Sequence, residues 1–332
     1  MITGEVKVEY LFSATGKLIV DQPGGNLLYA AAGASLWCEG HHDIGLIAKI
    51  GKNFPKENLQ KIKSQGFNME GIKVVDRNLE HRTFIAYSDL RTSYSESPIS
   101  YFSKIGEEFP ESLLGYKVAN NGNDQTLSDE KLLFSEKDLV EDLKFANAAH
   151  ICPLNIDVHH LFPDILRRAK INFISVDPGK AYMQPTRYNE IPIILQGLTA
   201  FLPSEDELRN LFRGRSDDIW EMIEALGSMG CSYIIVKSGE DGQKLFCYDS
   251  KKRYHVPAFP SNMVDITGAG DVFCGGFIAG LEKYNDPLQA VLLGNIAASF
   301  AVEGSGAFYT DDVLEGLQMA RLEKLKTFVR EI

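Results

Sequence analysis

Cysteine is scarce in this sequence, and its few cysteines are not arranged as metal ligands or as disulfide pairs. The chain contains five cysteines, an odd number, and no Cys-x-x-Cys pair. Zinc sites and disulfide frameworks need paired or closely spaced cysteines. We therefore expect reduced, mostly buried thiols in a cytoplasmic protein. The five residues are Cys38, Cys152, Cys231, Cys247 and Cys274.

Long apolar runs and an excess of basic residues are lacking as well. No stretch approaches the about 18 apolar residues that a membrane-spanning helix needs. The first residues, MITGEVKVEY, lack the segments of a signal peptide. The chain has 45 acidic and 34 basic residues and a formal net charge of -11. Because nucleic acids and anionic membranes bind clustered Lys and Arg, we expect neither of them as a partner.

The common phosphate-binding motifs are also missing. The sequence contains no Walker motif GxxxxGK[ST], no set of protein-kinase motifs and no GxGxxG after the first strand. A phosphate site in this chain must therefore be built from a different loop. The lack of GxGxxG also makes a Rossmann oxidoreductase only a distant candidate.

What the sequence does contain is an alternation of short, β-branched apolar runs with segments of helical length. Strands are predicted at residues 44–51, 150–154, 171–177, 192–197 and 233–239. Helices are predicted at residues 26–39, 54–65, 136–146, 158–168, 205–213, 217–228, 270–283, 286–303 and 311–330. This order predicts an α/β fold with a mainly parallel sheet between helices, in one domain over residues 1–332. Ligands of such sheets bind at the carboxyl ends of the strands.

Two segments depart from this alternation. Residues 5–20 and 72–105 are rich in β-forming residues and show no helical period, so we interpret them as a small inserted antiparallel sheet. Such a sheet cannot bury both of its faces alone, so it covers a site, another subunit or both. We expect a substrate lid and a homodimer formed through that lid. Arg82, Arg91 and Tyr94 are candidate substrate contacts within it, and solvated sheet positions are the alternative.

The most specific local signal is the segment DITGAGD at residues 265–271, which a strongly apolar helix follows. Its glycines allow backbone N–H groups to converge, and the start of a helix adds partial positive charge. Together these groups form an anion hole that suits a phosphoryl group in transfer. Asp271 lies in the first helical turn, where a carboxylate can take the proton of an attacking hydroxyl. The alternative is a simple turn with Asp271 as a helix cap.

This segment closely resembles the DTxGAGD motif of the PfkB/ribokinase-type carbohydrate kinases. The segment PGGN at residues 23–26, before a small-residue helix, resembles a second motif of that family. The turn VKSGEDG at residues 236–242 resembles the nucleotide turn. The resemblance extends over nearly the whole chain. It implies a ribokinase-like fold with a β-sheet lid and ATP-dependent phosphorylation of a small-molecule hydroxyl, with a sugar or sugar derivative as the first candidate acceptor.

The resemblance implies a catalytic set and a nucleotide-binding set of residues. The anion hole and the base are Gly268, Ala269, Gly270 and Asp271. The residues that border ATP are Lys237, Ser238, Gly239, Gly242 and Asn295. For Asn295, packing within a helix is an equally good interpretation.

Metal positions are implied in the same way. Glu207 matches an acid that holds Mg²⁺ through water, although Ser204 stands where relatives carry Asn. Ser204 and Glu207 also have the spacing of a capping box, a role that is compatible with metal binding. Asp265 and Thr267 match positions at which relatives hold a monovalent cation, here K⁺.

The implied substrate site departs from the family pattern twice. Its residues are Glu9, Gly24, Gly25, Asn26 and Tyr29. Glu9 replaces a sugar-binding Asp, and Tyr29 replaces a sugar-contacting Asn. An aromatic ring can stack on a flat substituent, so a nucleoside is an alternative acceptor, while packing is the other interpretation of Tyr29. A non-catalytic regulator that binds nucleotide or sugar is a further alternative, against which the intact Asp271 argues.

Overall fold

A computed structural model of the chain describes residues 1–90, 92–117, 133–141, 143, 146–314 and 316–332. Arg91 lies outside the described residues. The described strands are β1 (Ile2–Thr3), β2 (Lys7–Phe12), β3 (Leu18–Gly24), β4 (Gly45–Gly51), β5 (Asn68–Val75), β6 (Arg82–Tyr87), β7 (Ser93–Tyr94), β8 (Ala148–Ile151), β9 (Phe173–Val176), β10 (Ala200–Phe201), β11 (Tyr233–Lys237), β12 (Gln243–Cys247), β13 (Lys252–Val256) and β14 (Arg330–Glu331). The described α-helices are α1 (Asn26–Ser35), α2 (Lys56–Ser64), α3 (Pro98–Ile105), α4 (Ile156–Arg168), α5 (Ile191–Leu195), α6 (Glu205–Leu211), α7 (Ile219–Ser228), α8 (Ala269–Tyr284), α9 (Pro287–Ala301) and α10 (Leu317–Lys326).

The large sheet has the strand order β14-β13-β12-β11-β10-β9-β8-β1-β4-β5. All neighbours from β11 to β5 are parallel, and β12, β13 and β14 extend the sheet with antiparallel pairings. The parallel strands are apolar and buried because helices cover both faces. The strand order changes direction between β1 and β8. Ligands of parallel sheets bind beyond the carboxyl ends of the strands at such a switch point.

The small sheet has the order β3-β2-β6-β7. Its pairings β2–β3 and β6–β7 are antiparallel as predicted, whereas β2–β6 is parallel. The parallel pairing arises because β2 follows β1 and β6 follows β5. Both strands therefore start from the carboxyl ends of parallel strands of the large sheet and run in the same direction. We keep the name small sheet for these four strands.

Helix α1 and helix α8 approach each other closely, with backbone against backbone. A side chain at Gly33 would overlap the carbonyl of Val272, and a side chain at Gly275 would overlap the carbonyl of Ala30. The small residues of α1, which follow Gly24 and Gly25, are therefore needed for backbone contact between the helices. From α1, the ring of Tyr29 reaches Gly268 at the start of α8.

Several predicted elements are wrong in type or extent. Residues 192–195 form most of helix α5, with Gln196 as its C-cap, and not a strand. Pro192 favours the first turn of a helix, and a short apolar run by itself is compatible with either a strand or a buried helix. Residues 98–105, predicted as sheet, form α3. Residues 72–75 belong to β5 of the large sheet. In the described part of residues 136–146, the helical residues are 3₁₀ rather than α-helical, at Glu136–Asp138 and at residues 141 and 143. Among the described residues, no helix is long and apolar enough to cross a membrane.

Candidate active site

The loop before α8 has the geometry of an anion hole. Gly268 has a φ of 71°, and a side chain at that position would overlap the ring of Tyr29, so only glycine fits. The Ala269 N–H donates to the carbonyl of Ile266 at 3.2 Å. The N–H groups of Gly270 and Asp271 have no acceptor among the described residues, and Gly270 is exposed. Two unpaired N–H groups at a helix N-terminus can receive an anion.

The Asp271 carboxylate lies in the first turn of α8, as predicted, and its surroundings are acidic. Burial raises its pKa to about 8, and the charges of Asp177, Glu9 and Glu207 act in the same direction. The Lys237 ammonium opposes this shift. In the described part of the chain, no hydrogen-bond donor satisfies the Asp271 carboxylate, which leaves its oxygens free to accept a proton.

A buried ion pair beneath this loop joins the carboxyl ends of two strands of the large sheet, β9 and β11. Lys237, the last residue of β11, pairs with Asp177, which directly follows β9. The Lys237 ammonium is 3.5 Å from the Cys274 sulfur, and it lies 3.7 Å from where a Gly270 side chain would begin. Burial alone would lower the pKa of Lys237, but Asp177, Cys274 and Glu207 together outweigh burial and raise it. Lys237 therefore keeps its charge beside the anion hole.

Asp177 was not among the predicted site residues. An acidic residue at the carboxyl end of an apolar strand was a sequence signal that pointed to it. Burial raises the pKa of Asp177 to about 6, and Lys237 opposes that rise.

The predicted nucleotide turn is a tight turn at the end of β11. Gly239 and Gly242 both have positive φ angles, 55° and 84°, and the Ser238 N–H donates to the Gly242 carbonyl at 2.8 Å. A side chain at Gly239 would meet no atom within 4 Å, so the turn has open space beside it. The Ser238 hydroxyl is turned to Glu205, to which it donates at 2.6 Å.

Asn295 is buried in α9 and fixes a backbone segment. Its amide donates to Gln243 at 2.7 Å and to the Pro257 carbonyl at 2.9 Å, and its oxygen accepts from the Phe259 N–H at 3.0 Å. Both amide protons are therefore used within the protein. This arrangement favours the packing interpretation, with Asn295 shaping the segment 257–259 from behind.

Ser204 and Glu207 form the capping box that their spacing predicts. The Ser204 side chain accepts from the Glu207 N–H at 3.3 Å, and Glu207 accepts from the Ser204 N–H at 2.8 Å. The second oxygen of Glu207 has no partner in the described part of the protein. Among the described residues, no group of three ligand side chains converges on a point. Mg²⁺ fits this arrangement, because it keeps several waters and commonly binds one or two carboxylates together with substrate phosphates.

Asp265 provides the position that best fits a monovalent cation. One of its oxygens accepts from the Thr267 N–H at 2.9 Å. The other is buried and has no hydrogen-bond partner among the described residues. A buried carboxylate oxygen without a partner is costly, and a cation would satisfy it.

Glu9 and Tyr29 contact each other rather than an open pocket. The Tyr29 hydroxyl donates to Glu9 at 2.8 Å, and the Gly25 N–H donates to the other Glu9 oxygen, also at 2.8 Å. Glu9 is 5% exposed and Tyr29 is 3% exposed. The ring of Tyr29 lies against Gly268, and the Glu9 carboxylate lies against Gly24, where a side chain would overlap it. These contacts favour the packing interpretation of Tyr29.

Asn26, at the start of α1, holds two segments together. Its oxygen accepts from the Glu5 N–H and its amide donates to the Pro153 carbonyl, each at 2.8 Å.

The candidate contacts of the small sheet have different roles. Arg82 pairs with Glu80 and donates to the carbonyls of Ser112 and Leu114, and Tyr94 is largely exposed. Tyr87, which was not predicted, reaches the catalytic loop, where its hydroxyl accepts from the Thr267 hydroxyl at 3.1 Å. No sequence signal distinguished Tyr87 from other tyrosines in this segment.

The comparison with protein families agrees with this arrangement. Residues 116–312, more than half of the chain, match the model described as pfkB family carbohydrate kinase. The chain belongs to this family. A cytidine kinase of Thermococcus kodakarensis is 24% identical over 299 residues, 89% of this chain and 92% of that protein. An uncharacterized sugar kinase of Archaeoglobus fulgidus is 35% identical over 136 residues, 40% of this chain and 51% of that protein.

The structure of Arabidopsis thaliana ribokinase, complexed with ribose and ATP, matches with a TM-score of 0.68 at 15% identity, over 98% of this chain and 97% of that chain. The predicted ribokinase-like fold is therefore confirmed. Family and fold together identify this pfkB-family protein as an ATP-binding phosphotransferase with an alcohol group as acceptor.

Proposed function

We propose that this pfkB-family kinase transfers the γ-phosphate of ATP to a hydroxyl of a sugar or sugar derivative, with Asp271 as the general base. The observation that carries the proposal is one juxtaposition. The Asp271 carboxylate has no hydrogen-bond donor among the described residues, and it adjoins two unpaired N–H groups and the Lys237 ammonium. A base, an anion hole and a cation are the groups that phosphoryl transfer requires.

Each of these groups has one task in the proposed reaction. The N–H groups of Gly270 and Asp271, with the helix N-terminus, bind the phosphoryl group as its charge redistributes. Lys237 supplies a positive charge beside them. Asp271 accepts the proton of the acceptor hydroxyl, and the small sheet excludes water that would otherwise take the phosphoryl group. Mg²⁺, held through Glu207, would neutralise the nucleotide phosphates when bound.

A nucleoside is the second candidate acceptor. The match to the cytidine kinase extends over 89% of this chain, which favours it. Tyr29 does not decide between the two acceptors, because its ring packs on Gly268 and its hydroxyl is bonded to Glu9.

K⁺ is the proposed second cation. The buried oxygen of Asp265, which has no hydrogen-bond partner among the residues that the structure describes, supports this assignment. The adjoining Thr267 is the second residue that we propose for this site.

The experiment that tests the proposed function is an ATP-consumption screen over sugars and nucleosides, with Asp271→Asn as the matched variant. Asn keeps the shape of the side chain but cannot take a proton. General-base catalysis contributes about 10²–10⁴-fold, so we expect a loss of that size with nucleotide binding nearly intact. If no compound of the panel caused ATP to be consumed, the result would favour the non-catalytic regulator. An Asp271→Asn variant with more than about a tenth of wild-type turnover would remove Asp271 from the base role.

A further inference from the structure

Two tyrosine hydroxyls connect the small sheet to the anion hole. We propose that Tyr29 and Tyr87 are positioning residues that couple the small sheet to residues 267 and 268, so that the catalytic loop keeps its shape only while the sheet is in place. The consequence for catalysis rests on the proposed function, whereas the mechanical coupling does not.

The first connection passes through Glu9. This residue belongs to β2 of the small sheet, and its carboxylate is almost fully buried. Its two oxygens accept from the Gly25 N–H and from the Tyr29 hydroxyl, both at the start of α1. The ring of Tyr29 then occupies the space that any side chain at Gly268 would need. A displacement of β2 therefore withdraws the acceptor that holds the ring against the loop.

The second connection is made by Tyr87 at the end of β6. The Thr267 hydroxyl donates to the Tyr87 hydroxyl at 3.1 Å, while the Thr267 N–H donates to Asp265 at 2.9 Å. Thr267 is therefore held from the small sheet on one side and from the body on the other. Burial raises the pKa of Tyr87, which keeps its hydroxyl in the neutral form.

The two connections start from β2 and β6, which are paired strands, and they end at Thr267 and Gly268, which are consecutive residues of the loop. Strands β2 and β6 are hydrogen-bonded neighbours in continuous register from Val8 with Arg82 to Phe12 with Ala86. They therefore move together, and any movement of the sheet strains or breaks both contacts at once. Gly270 and Asp271, whose N–H groups have no acceptor in the described part of the chain, follow directly. The coupling thus makes formation of the anion hole conditional on the position of the sheet, which would limit transfer of phosphate to water.

Hydrogen exchange of the protein without ligands tests the mechanical coupling. Tyr87→Phe removes only a hydroxyl from a half-buried side chain, and Tyr94→Phe is the matched control, an exposed tyrosine of the same sheet. We expect the hydrogen-bonded loop amides of Thr267 and Ala269 to exchange about tenfold faster in Tyr87→Phe, because one hydrogen bond that holds the loop is lost. Exchange in Tyr94→Phe should equal that of the wild type. Unchanged exchange of the loop in Tyr87→Phe, or an equal increase in every segment, would overturn the proposal.

Tyr29→Phe leaves a buried carboxylate with one partner fewer and therefore carries a risk of unfolding. The combination Glu9→Gln with Tyr29→Phe removes the charge together with the hydroxyl and keeps the test usable. We expect this double variant to speed exchange in the loop and in β2 together. Faster exchange in β2 alone would contradict the coupling through Tyr29.

MgADP separates this proposal from the proposed function. In the wild type, we expect MgADP to slow exchange at residues 236–242, at the catalytic loop and also in β2 and β6. In Tyr87→Phe, the protection at residues 236–242 should persist while the protection of β6 is lost, and kcat should fall with the KM for ATP unchanged. Protection of β6 equal to that of the wild type would refute the coupling. A failure of MgADP to protect residues 236–242 would refute nucleotide binding instead.

Discussion

At the scale of single residues, the chemistry depends on how four carboxylates and one ammonium interact around Asp271. Burial raises the pKa of Asp271, the charges of Asp177, Glu9 and Glu207 raise it further, and Lys237 lowers it. The balance leaves the pKa near 8. A carboxylate with this pKa is a stronger base than an ordinary carboxylate, and it is half protonated at about pH 8. In the proposed reaction Lys237 has two roles, since it supplies positive charge to the phosphoryl group and lowers the pKa of Asp271.

This balance predicts a pH dependence. A base must be deprotonated, so kcat/KM should rise with pH and level off above about 8. Asp177→Asn removes a negative charge and frees Lys237, and both changes favour the ionised base. The rise should therefore move to lower pH by roughly one unit, the usual effect of a neighbouring charge. The control is Asp249→Asn, a change of an exposed residue remote from the site. An unchanged profile in Asp177→Asn would mean that another group controls the pH dependence.

At the scale of elements, the catalytic loop depends on how α8 begins. Its N-cap is Gly268 in the left-handed region, and the same is true of Gly316 before α10. The two glycines have different surroundings, because a side chain at Gly316 would meet no atom within 4 Å, whereas one at Gly268 would overlap Tyr29. Backbone strain and displacement of the loop can therefore be measured separately.

Gly316→Ala should cost roughly 1–2 kcal/mol of unfolding free energy, the penalty for a left-handed alanine, and leave activity unchanged. Gly268→Ala should show the same strain and also displace the ring of Tyr29 from the anion hole. A displacement of about 1 Å near the reacting atoms can reduce turnover about 100-fold. Thermal or denaturant unfolding together with turnover measures both effects. Equal turnover in the two variants would show that Tyr29 does not position the loop.

At the scale of the whole molecule, the small sheet is the part with an incomplete surface. Its outer strands β3 and β7 have one unpaired edge each in the described structure, and apolar side chains near it are strongly exposed, including Ile99 on α3 and Leu114. Open edges and exposed apolar side chains favour association. A second copy of the chain is the partner that we propose.

We expect a homodimer in solution that Ile99→Lys weakens, because a charge would be buried at the contact. Leu161→Lys on α4, an equally apolar and exposed position of the body, is the control. Sedimentation velocity at several concentrations measures the association. A wild-type monomer at all concentrations, or equal weakening by both variants, would refute a dimer through the small sheet.

The sequence was informative wherever the structure is local. The loop at residues 265–271, the capping box of Ser204 and the longer apolar strands depend on neighbours along the chain, and the structure has them where they were predicted. Strands β1 and β10 were missed because two residues carry no periodicity. Asp177 and Tyr87 were missed because their partners lie 60 and 180 positions away in the sequence. Only the folded chain brings such pairs together.

The parallel pairing of β2 with β6 also determines where the small sheet would pivot. Strands β2, β3 and β6 join the body at the same end of the small sheet, where Lys7 pairs with Gly24 and Val8 with Arg82. A rotation of the small sheet would take place about this end. Tyr87 lies five residues along β6 from Arg82, a lever arm of about 17 Å at ~3.3 Å per residue. A rotation of roughly ten degrees then moves its hydroxyl by about 3 Å, beyond the reach of a hydrogen bond. The contact with Thr267 would therefore break at a rotation of that size, which makes it a sensitive measure of the position of the small sheet.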